Sequence, residues 1–132
     1  MIRSIALLLA LAVALAPASC GGDTTDPGAG GGDGEELFER TVLADNAGCV
    51  TCHSLTAGRV LIGPSLAGIG TVAADRIPET AARDYLEQSI VDPDAYVVAG
   101  FNAGLMPDDW GEGLSPAEVA ALVDYLLTLG AR

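Results

Sequence analysis

Lysine is absent from the 132 residues, and the six cations are all arginines: Arg3, Arg40, Arg59, Arg76, Arg83 and Arg132. Against them stand 18 acids, for a formal net charge of -12. With no basic stripe there is nothing to neutralise phosphates and release counterions, so nucleic acid is excluded as a partner. Only one His is present, and no Gly-x-x-x-x-Gly-Lys occurs. These absences remove most zinc enzymes and the P-loop nucleotide-binding proteins. Half of the residues are nevertheless apolar, so the chain is not an acidic disordered polymer. Its length suits one ordinary domain.

Long apolar runs are also missing. The longest, Ile5 to Ala16, has twelve residues, short of the roughly 20 that a membrane-spanning helix needs. Behind Arg3 it has the length and flank of a signal-peptide core, which predicts export. Ala16-Pro17-Ala18 is a small-x-small cleavage site ahead of Ser19. Ala18-Ser19-Cys20 resembles a bacterial lipoprotein box. Cysteine arithmetic favours the second, because Cys20 is otherwise an unpaired thiol in an oxidising space. The expectation is a signal segment over 1–19, a lipid-anchored Cys20, and a protein held at the outer face of a bacterial membrane or in the periplasm. Seven of the fourteen residues from Gly21 to Gly34 are Gly. They read as a flexible tether with a root-mean-square reach of about 20 Å.

The remaining segment, 35–132, reads as helices separated by loops. Asp33 with Glu36 predicts a helix start, with Leu37, Phe38, Thr41 and Val42 facing inward and an end near Asn46. A second helix is expected from Thr80 to about Ile90, buried through Ala82, Tyr85, Leu86, Ser89 and Ile90 and stopped by Asp92-Pro93. The third signal is the fullest. Ser115, Pro116 and Glu118 form a capping box with Pro at the first helical position. The apolar face Val119, Leu122, Val123, Leu126 and Leu129 follows, and Gly130 is the expected stop. No sustained period-two alternation occurs, so no sheet is expected. The fold class is all-α, with two long loops, Ala57 to Gly70 and Val91 to Gly113, that need a reason.

Cys49-Val50-Thr51-Cys52-His53 supplies it. Cys-x-x-Cys-His is the attachment signature of c-type haem. Two thiols at that spacing form thioethers to the two vinyl groups, and the following His lies under the ring with a nitrogen on the iron. Covalent links hold a cofactor that a domain this small does not fully enclose. The rival readings fit less well. A thioredoxin-like pair needs a βαβ context, a zinc site needs a fourth ligand, and a disulfide across two residues is strained.

On this motif the chain resembles the small monohaem class I cytochromes c over nearly all of residues 34–132. Gly34, Phe38 and Tyr125 look like that family's crossing of N- and C-terminal helices. Gly63-Pro64-Ser65-Leu66 is similar to the segment in which the Pro carbonyl accepts from the axial His and the Leu packs on the haem. Tyr85 to Ile90, Asp92-Pro93 and Met106-Pro107 look most like the cytochrome c domains attached to respiratory oxidase subunit II. No copper-binding domain or helix pair precedes them here, so the expectation is a relative of those domains. With Met1 lost in the signal segment, Met106 is the one Met left, and it stands where the family places its sixth ligand. Tyr96, Asn102 and Trp110 bring further hydrogen-bond donors to the same loop.

The resemblance implies one covalent haem c bound by Cys49, Cys52, His53, Pro64, Leu66 and Met106, with His53 and Met106 on the metal. The expected function is one-electron transfer between redox partner proteins in an extracytoplasmic respiratory chain, without catalysis. A partner docking on this chain would present a basic or largely apolar face. A haem sensor or enzyme subunit with an open or displaceable sixth position is the alternative.

Overall fold

The computed structural model describes residues 30–130. The segment read as a signal, Cys20 and most of the Gly-rich stretch lie outside them.

The first helix, α1, spans Gly30–Glu39. It begins inside the stretch read as tether and ends well before Asn46. Two features stop it. Thr41 and Val42 are β-branched and lose side-chain freedom in a helix, and Ala44 and Asp45 both adopt positive φ, 46° and 64°. Two consecutive positive-φ residues make a tight hairpin turn whose twist matches flanking strands. The result is a two-residue ribbon, β1 (Val42–Leu43) against β2 (Asn46–Ala47), with Val42 opposite Ala47 and Leu43 opposite Asn46. Thr41 and Val42 are consequently exposed rather than inward, while Leu43 is buried. The chain is mostly helical but not purely so.

Next come α2 (Cys49–Cys52) and α3 (Ile69–Val72), the latter running into a 3-10 turn over Ala73–Asp75. Helix α4 spans Ala82–Val91, with Tyr85, Leu86 and Ile90 buried. It starts two residues after Thr80 and stops at Asp92, whose N–H still reaches the Gln88 carbonyl at 2.8 Å. One turn, α5 (Trp110–Gly113), interrupts the second long loop. The final helix, α6, spans Pro116–Thr128 behind the expected capping box. The Ser115 N–H donates to Glu118 Oε2 at 2.8 Å, and the Glu118 N–H donates to Ser115 Oγ at 3.3 Å. The helix ends at Thr128, with Leu129 as its C-cap and Gly130 directly beyond, where the stop was expected. The Thr128 hydroxyl donates to the Tyr125 carbonyl at 2.6 Å, and the Leu129 carbonyl accepts from Gly70 N–H at 3.0 Å.

Burial of one face of α6 organises the core. Val119, Leu122, Val123, Tyr125 and Leu126 are buried, together with Leu37 and Phe38 of α1 and Tyr85, Leu86 and Ile90 of α4. A Cβ at Gly34 would be driven into the Ala121 carbonyl and sit 2.9 Å from Tyr125 Cβ, so only Gly permits this crossing. One turn on, the Phe38 and Tyr125 rings meet at 5.6 Å and 50°, a tilted contact of the favourable kind. An Arg83–Asp124 ion pair joins α4 to α6. Among the described residues no helix is long and apolar enough to cross a membrane. This frame of α1, α4 and α6 leaves the two long loops to close over the space in front of α2.

Candidate haem site

Helix α2 is a single turn, so Cys49 and Cys52, three apart, sit on one side of it. The Thr51 hydroxyl donates to the Gly48 carbonyl at 2.6 Å and the His53 N–H to the Cys49 carbonyl at 2.9 Å, which closes the turn. At His53 the backbone leaves the helix for extended geometry, φ -117° and ψ 136°. The first long loop then folds back beneath the imidazole. Gly63 N–H donates to the Cys52 carbonyl at 2.9 Å, Leu66 N–H to the Ser54 carbonyl at 2.8 Å, and Ser65 Oγ to the Thr56 carbonyl at 2.9 Å.

That fold-back brings the Pro64 carbonyl to 2.9 Å from His53 Nδ1. A carbonyl only accepts, so Nδ1 carries the proton and Nε2 keeps its lone pair. Burial pushes the His53 pKa below its ordinary value, more than the bond to Pro64 raises it. The ring is therefore neutral, the form in which imidazole binds a metal. Gly63 stands so close that a Cβ there would lie 2.5 Å from His53 Cε1.

Cys49, Cys52, His53, Pro64, Leu66 and Met106 all line one cleft, walled also by Phe38, Leu43, Ile69, Tyr85, Leu122 and Leu126. The space inside the cleft, open mouth included, is about 1250 Å³. Tyr85 on α4 and Tyr96 on the second loop meet edge-on at 5.7 Å along its wall. Trp110, 3 % exposed, lines it too, and its buried Nε1–H has no partner within the protein. An orphaned buried donor is costly unless something in the cleft accepts it. Cys20 lies outside the described residues.

The thiols are not joined in a disulfide. Burial, the largest cause, pushes the Cys49 pKa above its ordinary value, a neighbouring Cys52 pushes the same way, and a backbone hydrogen bond opposes them. This is the reverse of the activated thiolate of a disulfide oxidoreductase. Among the described residues no three His, Cys, Asp or Glu side chains come together to hold a bare metal ion. What the cleft fits is a large, flat, mostly apolar group. Two thiols on one turn would attach it, a neutral imidazole would ligate it, and an acceptor on it would satisfy Trp110. A haem has these properties.

Sequence reasoning missed the closeness of Gly63 to the ring, and the roles of Leu43 and Ile69 as walls. Leu43 carried a signal in the Ala44-Asp45 pair, residues short enough for a tight turn. No curated protein matches the chain at a significant level. The cytochrome c family model matches residues 33–130, which takes in every described element from the body of α1 to the end of α6. The chain belongs to the cytochrome c family and carries one covalently attached haem c on the Cys49–His53 motif.

Proposed function

We propose that this chain is an electron carrier rather than an enzyme, as members of this family typically are, with His53 Nε2 and the Met106 thioether as the two protein ligands of the iron. One observation carries the reading: Met106, the one Met among the described residues, lines the same cleft as His53. Bound haem supplies a site for one electron, taken from a donor protein and passed to an acceptor. The residues define its character. Pro64 fixes the imidazole tautomer, the apolar walls limit water, and a neutral thioether favours the ferrous state more than a second imidazole would. Because the electron enters and leaves without bond rearrangement, the ligands need only stay in place.

Export, a lipid on Cys20 and service in a respiratory chain, as a relative of the oxidase-attached domains, complete the proposal. The twelve-residue apolar run and the lone Cys20 support the first two. Mass spectrometry of the mature N-terminus checks them: a diacylglyceryl-modified Cys20 is expected, and a free Ser19 start would sink the anchor.

The ligation is tested by the absorption spectrum of the reduced protein with and without carbon monoxide. A sharp c-type spectrum that carbon monoxide leaves unchanged is expected. A clear shift would mean that the sixth position opens readily, and the ligand-binding reading would replace the carrier.

A further inference from the structure

The loop that carries Met106 has little regular structure of its own. Between the end of α4 and the start of α5 the chain makes only turns, and Gly104 and Leu105 just ahead of Met106 are exposed. Two side chains from outside this stretch, or from its far end, grip it on either side of the Met. Upstream, the Asp94 carboxylate accepts the Gly104 N–H with both oxygens, at 2.9 and 3.1 Å. Gly104 has φ +72°, the left-handed conformation that turns its N–H back toward Asp94, two residues before Met106. Downstream, Asn46 Nδ2 donates to Asp109 Oδ1 at 2.7 Å, three residues after Met106. Asn46 belongs to β2, which leads directly into the Cys49–His53 turn, and its Nδ2 also lies 3.4 Å from the Ala44 carbonyl.

We propose that Asp94 and Asn46 are positioning residues that clamp the Met106 loop from both sides and so keep the thioether on the iron. The inference rests on the proposed Met106 ligation. Its physical content is a population: an outside ligand reaches the sixth position only when the loop opens, so its apparent affinity scales with the open fraction. Asp94 closes a ten-residue excursion with a charge-assisted bond, and Asn46 ties the same loop to the segment that anchors the haem. Losing either bond raises the open fraction without touching the cleft lining on the His53 side.

The test uses the holoprotein. Imidazole is titrated onto the oxidised form, and the long-wavelength thioether-to-iron(III) charge-transfer band is followed. Asp94→Ala is expected to tighten apparent imidazole binding about tenfold, the scale of one charge-assisted hydrogen bond, and to weaken the band. Asp94→Asn, whose amide oxygen still accepts from Gly104, is expected to return most of the wild-type behaviour. Asn46→Ala is expected to act in the same direction as Asp94→Ala. If both alanine variants keep the wild-type band and imidazole affinity, the bonds are merely structural and the proposal falls, whatever happens to the melting temperature. If the wild type itself lacks the band and Met106→Ala leaves its spectrum unchanged, the ligation reading fails, and the clamp with it.

Discussion

At the scale of single residues, the environment of His53 separates what a side chain contributes from what the backbone contributes. The acceptor at Nδ1 is the carbonyl of residue 64, which any amino acid would supply. Pro contributes a fixed φ that stiffens the loop around it. Pro64→Ala should therefore keep the bond and the tautomer. Gly63 is different, because its missing Cβ is the space that the imidazole occupies, at 2.5 Å from Cε1 and 2.8 Å from Nδ1. Gly63→Ala should push the ring off its bond and cost roughly 1–3 kcal/mol, as overpacking does in a filled core. Denaturant unfolding of the two holoproteins, followed by haem absorbance, checks this order. A Pro64→Ala loss as large as that of Gly63→Ala would show that stiffness, not space, holds the ring.

At the scale of elements, α6 owes its start to local chemistry that pH can remove. Hydrogen bonds from the Ser115 backbone, first, and from its side chain hold the Glu118 carboxyl below its ordinary value. Its folded-state pKa thus lies under the unfolded one, so this contribution to stability is present above about pH 4.5 and is lost as pH falls further. The expected outcome is a urea midpoint that declines on acidification below that pH, and less steeply in Glu118→Gln. Parallel curves for the two proteins would remove Glu118 from the cause. The same capping box shows why some elements were legible in the sequence and others were not. Ser115-Pro116 and Glu118 declare a helix start by themselves, and the apolar period from Val119 to Leu126 declares the buried face. Helix α4 was readable from Tyr85, Leu86 and Ile90 for the same reason. By contrast α2, α3 and α5 are four residues each, too short to show a period, and they form because loops must turn corners around the cleft. The end of α1 was misplaced because apolar Val42 fits a helical stripe, while the positive φ of Ala44 and Asp45 is set by the hairpin packing beside α5. Within the site, the Cys-x-x-Cys-His motif declares its own chemistry. Bonds such as Asp94 to Gly104 depend on loop geometry that no spacing rule encodes.

At the scale of the whole molecule, the charge is large but unevenly distributed along the chain. Between Asp45 and Asp75 there is no acid at all, and Arg59 is the lone formal charge. This acid-free stretch contains the haem motif and the loop through Pro64 and Leu66, with Val60 and Ile62 60 % and 57 % exposed. Two descriptions of electron exchange compete. If the field of all the acids reaches the site, small charged reagents will feel it. An anionic oxidant such as ferricyanide should then react faster as salt rises, and a cationic one such as hexaammineruthenium should react more slowly. The screening length falls from about 30 Å at 0.01 M to about 10 Å at 0.1 M, so most of the change should occur in that interval. If electrons instead cross at the acid-free stretch without feeling the acids, both rates should be nearly flat across that same interval. The net charge of -12 makes the low-salt divergence the firm expectation, with the two reagents changing in opposite directions in stopped-flow mixing. Identical salt responses from the two reagents would show that the acids do not steer encounter. A partner would then dock through the apolar residues of that stretch, because a basic partner face would find no counter-charge there.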